Sequence, residues 1–360
     1  MSQRKRVFVF GAGFSKPAGM PLATELLPLL AEKLELDDMR DWIDGLRDRL
    51  AWLSGHAPST SPFALNIEQV FHYAQFDVEV HRLKQHLVPV GRRDGPETPW
   101  NHAESIKGWL SFLEEALQDV ILEKQERADL SPIAQWAEHI DPSDAVLTFN
   151  YDTLAERALT SHGCAWHHGT RHGSEGIPVF KLHGSIDWIV AHRSESFVKL
   201  ELLFDKENAN QSKQNTGHVE DDCRLWRCRS ESQLREWIEG RDLQSLPAQA
   251  SARTVGIAGL GAYKQLHQIP GLGRVWARGM RTLYEADVAI IVGFSMSEFD
   301  AFAQMQFAEV AKHRSSDGRP LPVIVIDPFI TETSAERYRR VFRTVEFLKT
   351  PHELVNWDSL

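Results

Sequence analysis

The sequence predicts an α/β fold: a Rossmann-like, doubly wound and mostly parallel sheet with a large helical insertion after its first strand. Three observations carry the prediction. Short, largely apolar runs recur at Val7 to Phe10, Ala145 to Phe149, Val179 to Leu182, Val288 to Val292 and within LPVIVIDP at 321–328, the pattern of strands buried on both faces. Each run ends on a glycine or a polar residue: Gly11, Asn150, His183, Gly293 and Asp327. Between the first two runs, residues 22–140 read as helical material, far longer than the crossover helix of about 10–15 residues in an ordinary βαβ unit.

The first strand and its turn read VFVFGAGFSKPAG over residues 7–19. With only Ala12 between them, Gly11 and Gly13 let the backbone turn sharply and approach a ligand with no Cβ in the way. A strand, a glycine turn and a helix N-terminus form a phosphate cradle from unpaired backbone N–H groups. The six-residue dinucleotide fingerprint asks for glycine where Lys16 stands, so a plain tight turn is the alternative.

Leu26, Leu29, Leu30 and Leu34 then lie along one helical face within 22–50, and SGHAPSTSPF at 54–63 is a polar, proline-bearing loop. Residues 66–90 hold a helix with Val70, Phe71 and Phe76 inward, and GRRDGPETP at 91–99 breaks it. The clearest amphipathic helix covers 103–124, its stripe formed by Trp109, Leu110, Phe112, Leu113, Leu117, Val120 and Ile121. Ser131-Pro132 has the form of an N-cap followed by proline at the first helical position.

In DAVLTFNYDTLAERAL, 144–159, Asn150 and Asp152 sit where a short strand ends and a helix begins. Ligands of open parallel sheets bind beyond the carboxyl ends of strands, and an amide and a carboxylate there can bond sugar hydroxyls. Asp152 can equally cap the helix. In VFKLHGSIDWIV, 179–190, His183 falls just past a strand and precedes Gly184. It is one of 16 histidines, but its imidazole is placed as a general base should be.

Residues 205–222 are polar and read as an exposed, mobile loop; the glycine-spaced VGIAGLGAYKQLHQIPGLG reads as a loop near the site, followed by a helix over 273–285. ADVAIIVGFSMSEFDAF, 286–302, repeats the opening logic: a strand, a turn at Gly293, and Ser295 and Ser297 at the start of a helix. Asp327 and Pro328 end the next strand, Thr344 to Leu348 form a last one, and a short helix closes the chain.

With 42% hydrophobic and 25% charged residues, the 360-residue chain is expected to be a soluble globular protein. A net charge of -10 without a run of lysines and arginines argues against a general nucleic-acid binder. No apolar run reaches the roughly 18 residues that span a membrane, and Arg4-Lys5-Arg6 runs straight into a strand rather than a signal peptide. Three cysteines, an odd and sparse set, suit a reducing, cytoplasmic compartment. Cys223 and Cys228 could form half of a metal site, but no second pair exists, and no metal is expected.

Taken together and in order, GAGFSKPAGMP, TFNYD, KLHGS and VGFS resemble the sirtuin core, most of all the divergent bacterial sirtuin-like proteins of antiphage defence. The resemblance runs from residue 7 to about 330, with 22–140 and 191–250 matched only loosely. It implies a single sirtuin-like domain over 1–360, in which 22–140 is a helical subdomain. It also implies NAD as substrate. The turn Gly11, Ala12, Gly13, Phe14 and Ser15 would bind the cofactor at its pyrophosphate, Asn150 and Asp152 would contact the nicotinamide-side ribose and water, and His183 would be the catalytic histidine. Gly293 and Ser295 would bind the adenosine side, with Asp327 near its ribose.

Two departures bear on the activity. The deacetylases of the family carry four zinc-binding cysteines in two pairs, and this chain does not; they also follow the early proline with an acidic-aromatic-basic triplet, where this chain has Leu22-Ala23-Thr24. The resemblance therefore implies NAD hydrolysis to nicotinamide and ADP-ribose in antiphage defence, with a non-catalytic NAD or ADP-ribose sensor and a protein deacylase as alternatives. It further implies a homo-oligomer gated by assembly or by a partner in trans. The resemblance points to a HerA-like hexameric ATPase as a partner of this kind, since Argonaute-associated relatives usually carry an extra domain.

Overall fold

The computed structural model describes residues 4–33, 37–54, 65–87, 99–169, 175–193, 200–203, 223–227, 250–257, 269, 271–297 and 300–360. Its strands are β1 (Arg6–Phe10), β2 (Ala145–Thr148), β3 (Trp166–His167), β4 (Ile177–Lys181), β5 (Gly184–Arg193), β6 (Leu200–Leu203), β7 (Cys223–Arg227), β8 (Ala250–Ile257), β9 (Val288–Val292), β10 (Pro322–Ile326) and β11 (Thr344–Leu348). Among the described residues, a seven-stranded sheet has the order β11-β10-β9-β1-β2-β4-β3, and its pairings are parallel throughout. The predicted α/β doubly wound fold is the one observed.

The apolar runs are continuous because both faces of the sheet are covered. Phe8 and Phe10 of β1, Val146 of β2 and Val288, Ile290 and Val292 of β9 enter one core. Their alternates Val7, Val9, Ala145, Leu147, Ala289 and Ile291 enter the other, as the two-residue period of a strand requires. The first core is closed by α2 (Ala23–Lys33), α3 (Asp37–Ser54), α4 (Ile67–Leu87), α5 (Pro99–Glu126), α6 (Ser131–Glu138) and α7 (Leu154–Ser161); a single turn, α1 (Ala12–Ser15), precedes them. The second is closed by α8 (Leu272–Glu285), α9 (Ala301–Ser316) and α10 (Glu332–Val341). The long interval between β1 and β2 is thus helical, as its pattern predicts.

Several details differ from expectation. Phe76, expected inward, is 51% exposed, while Val70 and Phe71 are buried: α4 turns only the latter pair toward the core. Ser131 is the first helical residue rather than the cap, because Asp129 Oδ1 accepts from both its N–H (2.9 Å) and its Oγ (2.7 Å). Residues 255–257, read as part of a loop, belong to β8. That strand sits in a second sheet, ordered β6-β7-β5-β8, in which β5 runs antiparallel to β7 and β8. Its strands interleave polar and apolar residues instead of running apolar, so a search for doubly buried strands passes over them. The 205–222 segment and the side chains of Trp109 and Phe112 lie outside what is described.

At the amino edge of the sheet a buried ion pair ties β1 to β2. Arg6 Nη2 lies 2.7 Å from Asp144 Oδ2, and the Arg6 backbone N–H donates to Asp144 Oδ1 at 3.0 Å. Arg6 Nη2 also donates to the carbonyl of His139 at 2.6 Å. Removing one member of such a pair leaves the other charge buried and uncompensated. We predict that Asp144→Ala lowers stability by about 3–5 kcal/mol in urea denaturation; a midpoint equal to that of the wild type would show the clasp to be dispensable.

Candidate functional site

The carboxyl tips of the strands are stitched into one edge. Phe149 N–H donates to Phe10 O, Leu182 N–H to Thr148 O, Gly11 N–H to Val292 O and Gly293 N–H to Ile326 O. The tips of β1 and β9 then cross backbone on backbone. Gly13 N–H donates to Gly293 O at 2.9 Å. A Cβ on Gly13 would lie 2.6 Å from Gly293 Cα, one on Gly11 would lie 2.6 Å from Gly293 O, and one on Gly293, whose φ is +60°, would lie 2.3 Å from Gly13 C. No side chain fits between these loops, which is why all three positions are glycine. The N–H groups of Gly11, Gly13 and Phe14 are all bonded within the protein, so the glycines act here by allowing close approach. Phe14 and Ser15 are buried, while Ala12 and Gly13 are half-buried.

Asn150 closes onto this turn. Its Nδ2 donates to Gly11 O at 3.0 Å and to Ser15 Oγ at 3.1 Å, and its N–H donates to Thr148 Oγ1 at 3.1 Å. With both amide protons engaged, Oδ1 is the face left to accept a hydrogen bond. Asp152 is not the cap of α7, a position held by Thr153; its Oδ1 instead accepts from Leu154 N–H at 3.0 Å in an Asx turn that leads into the helix. Its carbonyl accepts from Lys181 Nζ, and that wholly buried ammonium lies 3.2 Å from Glu156 Oε1.

His183 is 4% exposed and Asp300 is 2% exposed, and His183 Nε2 lies 2.9 Å from Asp300 Oδ2. The imidazole packs edge-on against Phe149 at 4.9 Å and tilted against Tyr151 at 6.0 Å between ring centroids, the residues flanking Asn150. Phe149 in turn stacks on Phe294 at 4.1 Å, next to Gly293. The glycine crossing, Asn150 and His183 are therefore drawn together from four strand tips, those of β1, β9, β2 and β4.

Ser295 and Ser297 do not start a helix. Met296 takes a left-handed φ of 49°, which interrupts any helix there, and α9 starts at Ala301 with Asp300 as its cap, Oδ1 accepting from Ala303 N–H. Ser295 is exposed, and Ser297 Oγ donates to Glu68 Oε2 of α4 at 2.7 Å. Asp327 ends β10 and accepts from Phe329 N–H at 2.8 Å; it and Ser295 stand on the β9–β10 side of the edge.

Residues that sequence reading did not single out complete the site: Asp300, Tyr151, Glu68, Glu114 and Lys181. Asp300 had a signal, an aspartate directly before a helical run; the others are polar residues on helices or strand ends with no pattern to mark them. Burial, followed by the carboxylates of Glu68, Asp300 and Glu114, holds the Tyr151 phenol well above its ordinary range. Half-buried on α5, Glu114 has its carboxyl pushed up to about 7 by desolvation, with Glu115 adding to the rise. Among the described residues no group of three or more His, Cys, Asp or Glu is arranged to hold a metal, and no helix is long and apolar enough to cross a membrane. Cys228 lies outside the described residues.

No protein-family model matches the chain, and no curated protein matches it. Among solved structures it is similar to Sir2 in complex with the inhibitor EX-527, 2'-O-acetyl-ADP-ribose and deacetylated p53 peptide, with 12% identity and a TM-score of 0.39, covering 97% of this chain and 90% of that one. It is also similar to a structure described as the structural basis for the mechanism and regulation of Sir2 enzymes, with 12% identity and a TM-score of 0.35, covering 98% of this chain and 90% of that one.

Two outcomes follow from this geometry. Gly293→Ala combines a left-handed backbone with a backbone clash, so we expect a loss of about 1–3 kcal/mol in thermal unfolding; an unchanged melting temperature would contradict the crossing. A folded pKa raised above the unfolded value means that Glu114 contributes stability fully present below the unfolded value of 4.5 and lost as pH rises through about 7. Glu114→Gln should therefore gain stability relative to the wild type as pH rises from about 4.5 to about 7, and keep a constant advantage above that, when melting is followed across the range.

Proposed function

We propose that this chain hydrolyses NAD at the nicotinamide–ribose bond, releasing nicotinamide and ADP-ribose, and that it serves as the effector of an antiphage defence system by depleting NAD. The observation that carries the reading is the position of Asn150. Its amide is anchored on the glycine turn, and the residues on either side of it in the chain pack against His183. A glycine turn at the strand tip, a hydrogen-bond acceptor for water or a ribose hydroxyl, and a base thus share one edge of the sheet, where ligands of such sheets bind.

The chemistry is balanced by water alone. The glycosidic C–N bond breaks with its electron pair leaving on the nicotinamide nitrogen, so that the ring departs neutral while cationic character builds on the ribose. Asn150 Oδ1 orients the attacking water, whose oxygen forms the new bond to the anomeric carbon. His183 takes the water proton, a role worth about 10²–10⁴-fold. The carboxylates around Tyr151 favour the growing positive charge. Holding the diphosphate rigidly keeps the scissile bond at the attack distance.

A hydrolase of this kind running freely would poison its own cell, so the activity is gated by assembly of copies or by a partner in trans, for which the resemblance offers a HerA-like hexameric ATPase. The Ser297–Glu68 hydrogen bond supports such gating, because it runs from the helical layer to the loop that carries Asp300. Co-purification and particle imaging with and without the neighbouring gene product test it, and a fully active lone monomer would remove the need for it.

Purified protein mixed with NAD should release nicotinamide, followed by chromatography. His183→Ala and Asn150→Ala should each lose at least about 10²-fold of the rate while melting like a folded protein. Wild-type turnover in either variant would remove that residue from its role. NAD binding without nicotinamide release, alone or with the partner, would make the chain a sensor instead.

A further inference from the structure

We propose that Asp300 is the positioning residue of His183: its Oδ2 takes the Nε2 proton, so that Nδ1 is the basic nitrogen the imidazole presents to the reaction. The two carboxylate oxygens have separable tasks. Oδ1 faces the N–H of Ala303 and caps α9, whereas Oδ2 lies 2.9 Å from His183 Nε2. The positive end of the 16-residue helix α9 favours the ionised carboxylate at its first turn. An ionised carboxylate only accepts hydrogen bonds, and a neutral imidazole carries one N–H and one lone pair. Nε2 must then carry the proton, and the lone pair falls to Nδ1. Both side chains are buried, and the rings of Phe149 and Tyr151 bracket the imidazole.

The same carboxylate then meets the charge that appears on the ring when His183 takes up a proton, as a buried aspartate does for the histidine of an acyl-transfer triad. Among the described residues, the Tyr151 ring faces the imidazole, and Glu68 on α4, Glu114 on α5 and Asp300 all lie within electrostatic reach of the Tyr151 phenol.

Asparagine and serine also cap helices well, so substitution can remove the carboxylate and keep the cap. The experiment uses the full chain with ¹⁵N-labelled histidine, as wild type, Asp300→Asn and Asp300→Ser, with His183→Gln to assign the His183 resonances. In the wild type at pH 8, nitrogen shifts should report Nε2 protonated and Nδ1 bare. In Asp300→Asn the side-chain amide donates to Nε2, and the tautomer should reverse. In Asp300→Ser both tautomers should appear. The melting temperatures of the two variants should stay close to that of the wild type.

The kinetic arm rests on the hydrolase reading. In Asp300→Asn, kcat for nicotinamide release should fall by about 10²–10⁴-fold with little change in KM for NAD. In Asp300→Ser the acidic limb of the rate profile should move to lower pH, because the imidazolium has lost its counter-charge. A wild-type His183 protonated on Nδ1, or an Asp300→Asn variant that keeps the wild-type tautomer, overturns the proposal. If the tautomer reverses as expected while even the wild type leaves NAD intact, the assignment of Asp300 stands and the hydrolase reading falls.

Discussion

The structure depends on a contact that contains no side chain. At the tips of β1 and β9, Gly11 and Gly13 meet Gly293 main chain to main chain, joined by the Gly13–Gly293 hydrogen bond. Everything that makes the carboxyl edge a site is referenced to this crossing. Asn150 is fixed because its amide bonds the carbonyl of Gly11. Phe294, the next residue after Gly293, stacks on Phe149, and Phe149 forms one wall for His183. A loosened crossing would therefore misplace an amide and an imidazole together.

The main sheet was legible in the sequence because burial on both faces leaves no choice of residue. Val7 to Phe10 and Val288 to Val292 must be apolar throughout when alternate side chains enter two separate cores. The strand tips were legible for a related reason: the apolar requirement stops there, so Asn150, His183 and Gly293 stand out. The second sheet was not legible, since strands such as Cys223–Arg227 mix charged and apolar residues and share no continuous run. Nor were long-range pairs. Nothing near His183 in the chain points to Asp300, which lies 117 positions away, and nothing near Ser297 points to Glu68. The reason for the glycines was half legible: sequence explains why the backbone needs freedom, but only the fold reveals that the partner is another strand tip.

Buried charge is used differently at the two edges of the sheet. At the amino edge, Arg6 and Asp144 satisfy one another with several hydrogen bonds, and Arg6 also donates to the carbonyl of His139, an arrangement suited to holding β1, β2 and the preceding turn in register. At the carboxyl edge, Lys181 with Glu156 braces the corner at Asp152, and His183 with Asp300 forms a second buried pair. Beside that pair the helical layer contributes carboxylates whose influence converges on Tyr151.

The hydrogen bond from Ser297 to Glu68 has a mechanical meaning. Ser297 O also receives the N–H of Asp300, so hydrogen bonds connect α4 to the residue whose carboxylate holds the imidazole. The helical layer is thereby more than a lid over one core. Through Glu68 it is also tied to the stretch of chain that leads into α9 and its cap Asp300.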